Sequence, residues 1–275
     1  MDAKIYLTTP ALFVAVFFLV VPLGTLGYIS LMAGYPLVDD PTVSLQNYSS
    51  ILTDSFYLYI LLKTIAMAVL ITAVSLLFAY PVAHFLAKTQ SKYKSLLLLA
   101  VILPLFVGNA VRAIGWMLLL GEQGVVNKLL QFVGLGGPYT FMYTTSAVVL
   151  GAAAVNIPFL ILTIQSVMEQ LNPSVEEASI SLGATPLTTW RLVTLPLVAH
   201  GLLAACTLSF ILSMNAYATP LLLGGPGFAM MAPTIAIEIL QKSNWSMGAA
   251  LAFIMIVVTL ALTMLLNRAL KPTIV

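Results

Sequence analysis

The stretch Asn172-Pro173-Ser174-Val175-Glu176-Glu177-Ala178-Ser179-Ile180-Ser181-Leu182-Gly183-Ala184-Thr185-Pro186 is a polar interruption between two long apolar segments, 144–168 and 199–223. Asn172-Pro173 ends the preceding helix, because the residue before a proline is pushed out of the helical region. Ser174 stands three residues before Glu177, the spacing of a capping box, and predicts that a new helix starts there. Val175, Ala178, Ser179 and Leu182 fall on one face of that helix. Gly183 supplies the left-handed conformation that ends it. Thr185-Pro186 then restarts a helix, with Thr as N-cap and Pro at the first helical position. Leu187 and Trp190 give this second helix an apolar edge, and Leu195-Pro196 turns the chain back toward the next apolar segment. The expectation is helix, sharp bend, helix, lying across a membrane surface. A short amphipathic helix with small residues at its centre either seats in a groove on a partner or is an ordinary surface helix. Glu177 is either a cap or an ionic contact.

Working outward, the 275 residues are 61% hydrophobic and 7% charged, with mean hydropathy +1.06. Soluble domains carry about 25% charged residues, so this composition excludes a water-facing globule and predicts a multi-span membrane protein in a lipid bilayer. A crossing helix needs about 20 mostly apolar residues, and about six segments qualify: 8–32, 57–87, 96–120, 144–168, 199–223 and 247–269. The first is read as an uncleaved span, since no small-x-small cleavage pattern follows a short apolar core. A net charge of +2 gives no footprint for nucleic acid. The lone Cys206 lies in an apolar run and reads as a buried structural thiol.

Lysine and arginine set the expected orientation. With the N-terminus inside, Lys4, Lys88, Lys92, Lys94, Arg191, Arg268 and Lys271 are cytoplasmic, against Lys63, Arg112, Lys128 and Lys242 toward the other side. Both termini are then cytoplasmic, and residues 169–198 form a cytoplasmic loop. The outer connections carry Asp39, Asp40, Asp54, Glu122 and Glu238. Gly224–Gly227 reads as a plain turn, since a phosphate-binding loop would continue with Lys-Ser or Lys-Thr. Neither this turn nor any other stretch has the pattern of a P-loop.

Few polar groups fall inside the predicted spans. Arg112, near Asn109 and one turn before Trp116, reads either as a pathway or gate residue, paired with Glu122 or Glu238, or as an arginine snorkelling to the interface. Asn156, two before Pro158, reads as a packing or pathway group. Asn215 and Tyr217, with Ser213, line a central polar path or simply pack. His84 and His200 show no metal spacing, and Glu169 and Glu176 read as solvated charges.

The pattern Glu177-Ala178-Ser179, Gly183, Val193, Leu195-Pro196 resembles the EAA loop of the membrane subunits of bacterial ABC importers, with Ser179 where that pattern has Ala. Nearly the whole chain is similar to those permeases. Tyr80-Pro81, Val111-Arg112, Trp116, Leu120-Gly121, Gly124, Asn127, Thr219-Pro220 and Leu223-Gly224-Gly225 point to the spermidine/putrescine-type subfamily. The resemblance implies an all-α polytopic transmembrane helical bundle with the type I ABC importer permease fold, in the bacterial inner membrane. It implies no enzyme activity and no cofactor in this chain: ATP and Mg are bound by a partner ATPase, present in two copies. Further implied partners are a second permease subunit, similar or identical, and a periplasmic or extracellular solute-binding protein. Glu177, Ala178, Ser179, Gly183, Leu195 and Pro196 are the implied ATPase-coupling residues. The implied cargo is a small organic solute of polyamine, opine or amino-acid-like type. The rival expectation is an ion-coupled secondary transporter, which needs carboxylates within its spans. None of the nine acidic residues lies at the centre of a predicted span.

Overall fold

The computed structural model describes residues 2–36 and 42–269, with side chains described from residue 13 onward except residue 15. Asp39, Asp40 and Lys271 lie outside the described residues, as does the side chain of Lys4. The described elements are helices with no β-strand among them, apart from an isolated bridge between Met32 and Val43. They form two compact units.

The first unit comprises residues up to Leu61 together with Thr234–Val258. It contains α1 (Asp2–Ser30), α2 (Gln46–Thr53), the start of α3 (Ser55–Lys88), most of α12 (Met231–Leu240) and the first half of α13 (Trp245–Ala269). The Asn47 amide donates to the Ser30 carbonyl at 2.9 Å, and the Ser30 and Tyr48 hydroxyls bond at 2.7 Å, so α2 is pinned to the end of α1. Glu238 is 3% exposed and is neutralised by Lys242 at 2.7 Å, one turn along α12, with the Tyr57 hydroxyl donating to it at 3.3 Å.

The second unit comprises Leu62–Pro233 and the residues from Thr259 onward. After the long run of α3 come α4 (Lys94–Ile102), a 3-10 turn (Leu103–Phe106), α5 (Asn109–Leu120), α6 (Val125–Phe132), α7 (Thr145–Glu169), α8 (Pro173–Ser181), α9 (Pro186–Thr189), a π turn (Trp190–Thr194), α10 (Leu195–Met214) and α11 (Ala218–Leu223). Helix α7 is the most enclosed of the apolar helices. Its sequence explains why: Ala147, Gly151, Ala152 and Ala153 let neighbouring backbones come close, the way helices associate where water supplies no driving force between them. A Cβ at Gly151 would sit 2.9 Å from Thr219 and 3.0 Å from Leu223 of α11, and one at Gly201 of α10 would sit 2.4 Å from Val167 of α7.

Among the described residues four helical runs are long and apolar enough to cross a membrane: Ser55–Lys88, Thr145–Glu169, Pro186–Met214 and Trp245–Arg268. The predicted segment 96–120 is not one straight helix. It is a pair, Lys94–Phe106 and Asn109–Phe132, bent by 98°, and counts as a fifth span when the pair is taken together. The cause is local: Pro104 lacks an N–H, and Gly108 holds an extended conformation as N-cap of α5. The segment 199–223 also divides, because α10 stops at Met214 and α11 begins only at Ala218. The segment 8–32 overlaps α1, which ends at Ser30; several of its side chains lie outside the described residues, within which Val16–Ser30 is an apolar helix. Among the described residues the count by length and apolarity is therefore four, or five with the bent pair, with the first segment of the six read from the sequence only partly described.

Replacing Gly201 by Val is expected to lower stability by about 1–3 kcal/mol through overpacking against Val167. Gly24, where an added Cβ would meet nothing within 4 Å, is expected to accept Ala without loss. Thermal unfolding of the two purified variants checks this contrast.

Candidate functional site

Helix α7 ends at Glu169, and α8 begins two residues before the position expected from a Ser174 cap. Asn172 is the N-cap, its Oδ1 accepting the Ser174 N–H at 3.1 Å, with Pro173 in the first turn. Pro173 fixes the start because its missing N–H is one the helix end leaves unpaired anyway. At the far end the Ala184 N–H donates to the Ser179 carbonyl and the Gly183 N–H to Ile180, with Gly183 at φ +89°. That is a Schellman closure, which requires the left-handed residue. Thr185 then caps α9, accepting the Thr188 N–H at 3.3 Å.

The expected turn at Leu195-Pro196 does not occur. The Leu195 N–H reaches back five residues to the Trp190 carbonyl, and the helix runs continuously from Pro186 to Met214. The widened π turn gives Pro196 room in the first turn of α10, where a tighter ladder would demand the N–H it lacks. Leu195 and Pro196 thus sit at the foot of a spanning helix. Glu177, Ala178, Ser179 and Gly183 lie together on α8 and its bend.

No residue of α8 is buried. Glu177 and Ala178 face outward, and beyond them Leu182 is 89% and Leu187 72% exposed. The inward side is polar. Glu176 accepts hydrogen bonds from the Lys88 ammonium and, at 2.6 Å, from the Thr194 hydroxyl. The Ser179 and Thr189 hydroxyls bond at 3.0 Å. Trp190 does not form an outward apolar edge: its indole N–H donates to the Tyr80 hydroxyl at 2.6 Å. Nor are the two glutamates merely solvated. Glu169 pairs with Lys94 at 2.5 Å and accepts from Gln165 at 2.9 Å. Partial burial pushes the Glu176 carboxyl upward, but the bonds from Lys88 and Thr194 and the Lys88 charge outweigh it, leaving Glu176 below the ordinary carboxylate value.

The polar residues expected along a path divide into two groups. Asn109, Asn156, Asn215 and Tyr217, with Ser213 and Thr219, line one cavity of about 420 Å³. Asn156 is 2% exposed, and its amide donates to the Ser209 carbonyl and to the Ser209 and Ser213 hydroxyls at 2.8–3.2 Å. It therefore ties α7 to α10 at the cavity wall. Ser209 escaped the sequence reading because a lone serine in an apolar run carries no signal of its own. Arg112 and Trp116 are not in that wall. Trp116 packs on the apolar core around Ala147, Gly151 and Leu223. Arg112 pairs with neither Glu122 nor Glu238. Its guanidinium donates to the carbonyls of Pro104, at 2.5 Å, and Val107, at 2.8 Å, on either side of the helix break; the Pro104 carbonyl also accepts the Val107 N–H at 3.2 Å. Among the described residues no three His, Cys, Asp or Glu side chains gather as a metal site.

The Glu176 contacts carry a pH sign. A carboxyl held below 4.5 stabilises the folded loop above that value and loses its contribution as pH falls through the depressed value. Hydrogen-exchange protection across residues 172–182, corrected for the intrinsic pH dependence of amide exchange, is expected to be flat from neutrality down to about pH 5 and to fall below it, with Glu176→Gln less protected already at neutral pH.

Residues 80–275 match the family described as "Binding-protein-dependent transport system inner membrane component". The chain is 32% identical over 216 residues to the spermidine/putrescine transport system permease protein PotB of Escherichia coli (strain K12), covering 78% of each chain. It is 35% identical over 201 residues to the inner membrane ABC transporter permease protein YdcU of the same organism, covering 68% of this chain and 64% of that one. In fold it is similar to a chain of a crystal structure of a bacterial ABC transporter involved in the import of the acidic polysaccharide alginate, with a TM-score of 0.78, 19% identity, and 99% of this chain and 96% of that chain covered. The chain belongs to the family of binding-protein-dependent transport system inner membrane components and is a transmembrane permease subunit of an ABC importer.

Proposed function

We propose that α8 and its bend dock a separate ATPase, and that the Asn-lined cavity is part of the route taken by a small organic solute. The observation that carries the docking reading is the two-sided chemistry of α8. Its inner side is fastened by Glu176 and Ser179, while its outer side presents Glu177 and Ala178, and the bend and α9 beyond it present the exposed Leu182 and Leu187. Apolar surface displayed on a polar loop suits a partner groove. In this reading two ATPase copies bind ATP and Mg, the loop and both chain termini face the cytoplasm, and a second permease, similar or identical, completes the path. Leu195 and Pro196 act at the foot of α10 by carrying the docked motion into the membrane.

The cavity wall is uncharged: the amides of Asn109, Asn156 and Asn215 and the hydroxyls of Ser213, Tyr217 and Thr219 alternate with apolar side chains such as Val155 and Leu212. Such a wall hydrogen-bonds a polar solute in passing without trapping it. The names of the relatives make polyamines the first solutes to try, with amino-acid-like compounds next. Arg112 serves as a strut that closes the broken span beside this route, and Trp116 backs it from the core. An ion-coupled secondary transporter is not favoured, since family membership makes the chain a component of a binding-protein-dependent system.

The test is a reconstituted complex in vesicles, given binding protein and labelled spermidine. Gly183→Val, which forces a β-branched residue to φ +89°, and Glu177→Arg are each expected to lower ATP-driven uptake at least about tenfold while the chain still inserts. Normal uptake by both variants refutes docking through α8. For Arg112→Ala, two charge-assisted bonds are lost, about 1.5–3 kcal/mol each. Uptake is expected to fall with assembly intact, and unchanged kinetics remove the strut from the mechanism.

A further inference from the structure

Because α8 buries nothing, apolar packing does not hold it in place. It packs on α9 and the π turn, which are continuous with α10, and the chain joins it to α7. Helix α3 is different. It is not adjacent to α8 in sequence, and a cavity of about 380 Å³, lined by His84, Lys88, Glu176 and Thr194 among others, opens where the end of α3 meets the loop. Two side-chain contacts reach α3 from the docking element. Glu176 accepts from Lys88, the last residue of α3. Trp190 donates to Tyr80, two turns earlier, with the rings meeting edge-on at 6.0 Å and Tyr80 stacked on His84 at 6.2 Å.

We infer that Glu176, and not its neighbour Glu177, is the positioning residue that makes α3 follow the docking helix, with Trp190–Tyr80 as a second latch. This rests on the docking reading above and deepens it. Helices α7 and α10 follow α8 because the backbone connects them. Helix α3 packs on α7 and α10 through Ala79, Ala83 and Leu86, and its end is tied to α8 by one carboxylate, which sits on α8, holds Lys88 of α3 and accepts from Thr194 at the foot of α10. A charge-assisted bond suits this task, since it is stronger than a neutral one yet needs no extended packed surface.

The test uses the whole complex with Cys206→Ala and spin labels at Gln90→Cys and Ser181→Cys, both exposed positions. In the otherwise unmodified chain the label distance is expected to stay the same between the nucleotide-free and the ATP–vanadate-trapped complex. In a Glu176→Gln/Trp190→Phe background it is expected to shift or broaden on trapping. The charge swap Lys88→Glu/Glu176→Lys is expected to restore a fixed distance that neither single reversal keeps. A distance that moves in the unmodified complex, or stays fixed in the weakened one, overturns the inference. Failure of the ATPase to co-purify with the unmodified chain overturns the docking reading and the inference with it. Co-purification with a moving distance overturns the inference alone.

Discussion

A carbonyl released by a broken helix inside a bilayer finds no water, so the protein itself must supply a donor. This constraint is visible at three interruptions of the apolar helices. Where Pro104 and Gly108 interrupt a span, Arg112 returns to the Pro104 and Val107 carbonyls. Where α10 ends, the Asn215 amide donates to Ile211 at 2.8 Å. Where Pro196 enters the ladder, the helix widens so that Leu195 donates to Trp190. Each irregularity is accompanied by a donor close in sequence. The breaks frame the places where function is proposed: the cavity between α5, α7 and α10–α11, and the foot of α10.

The same constraint separates what was legible in the sequence from what was not. The membrane class, the all-helical fold and the bent loop followed from composition, Gly183, Thr185 and Pro186, whose conformations are fixed by local sterics. The start of α8 was misplaced because Asn172 and Ser174 are both good caps, and only the full loop shows that Pro173 takes the first turn. Glu176 and Glu177 are the same residue type side by side. Which one faces inward depends on how the helix is rotated against α3, and one sequence carries no record of that rotation. Arg112 looked like a partner for a distant carboxylate because the carbonyls at the break are invisible until the break is known. The cavity was partly legible, since an amide in an apolar span must find a partner, and Asn109, Asn156 and Asn215 stood out for that reason.

The apolar contacts follow a different logic from those of a soluble core. Where α7 meets α10 and α11, Gly151 of α7 and Gly201 of α10 bring their neighbours so close that an added methyl group would collide with Thr219, Leu223 or Val167. Such contacts tolerate little change in volume, which keeps α7, α10 and α11 in fixed relation around the uncharged cavity. The docking loop has no packing of this kind. It is rigid within itself, through its caps and its Schellman closure, and is joined to its surroundings by the side-chain bonds of Glu176 and Ser179 rather than by packed apolar surface.

The unbroken rod from Pro186 to Met214 has 29 residues, or about 43 Å of helix. Its lower end carries the π turn, and its upper end reaches the level of Ser213 and Asn215. A tilt of about five degrees at the base of a shaft that long sweeps its tip through about 4 Å, more than the width of a water molecule. Because the wide turn replaces the hinge that Leu195-Pro196 would otherwise make, the rod passes a small tilt at the end beside the loop to its far end as a displacement of atomic size.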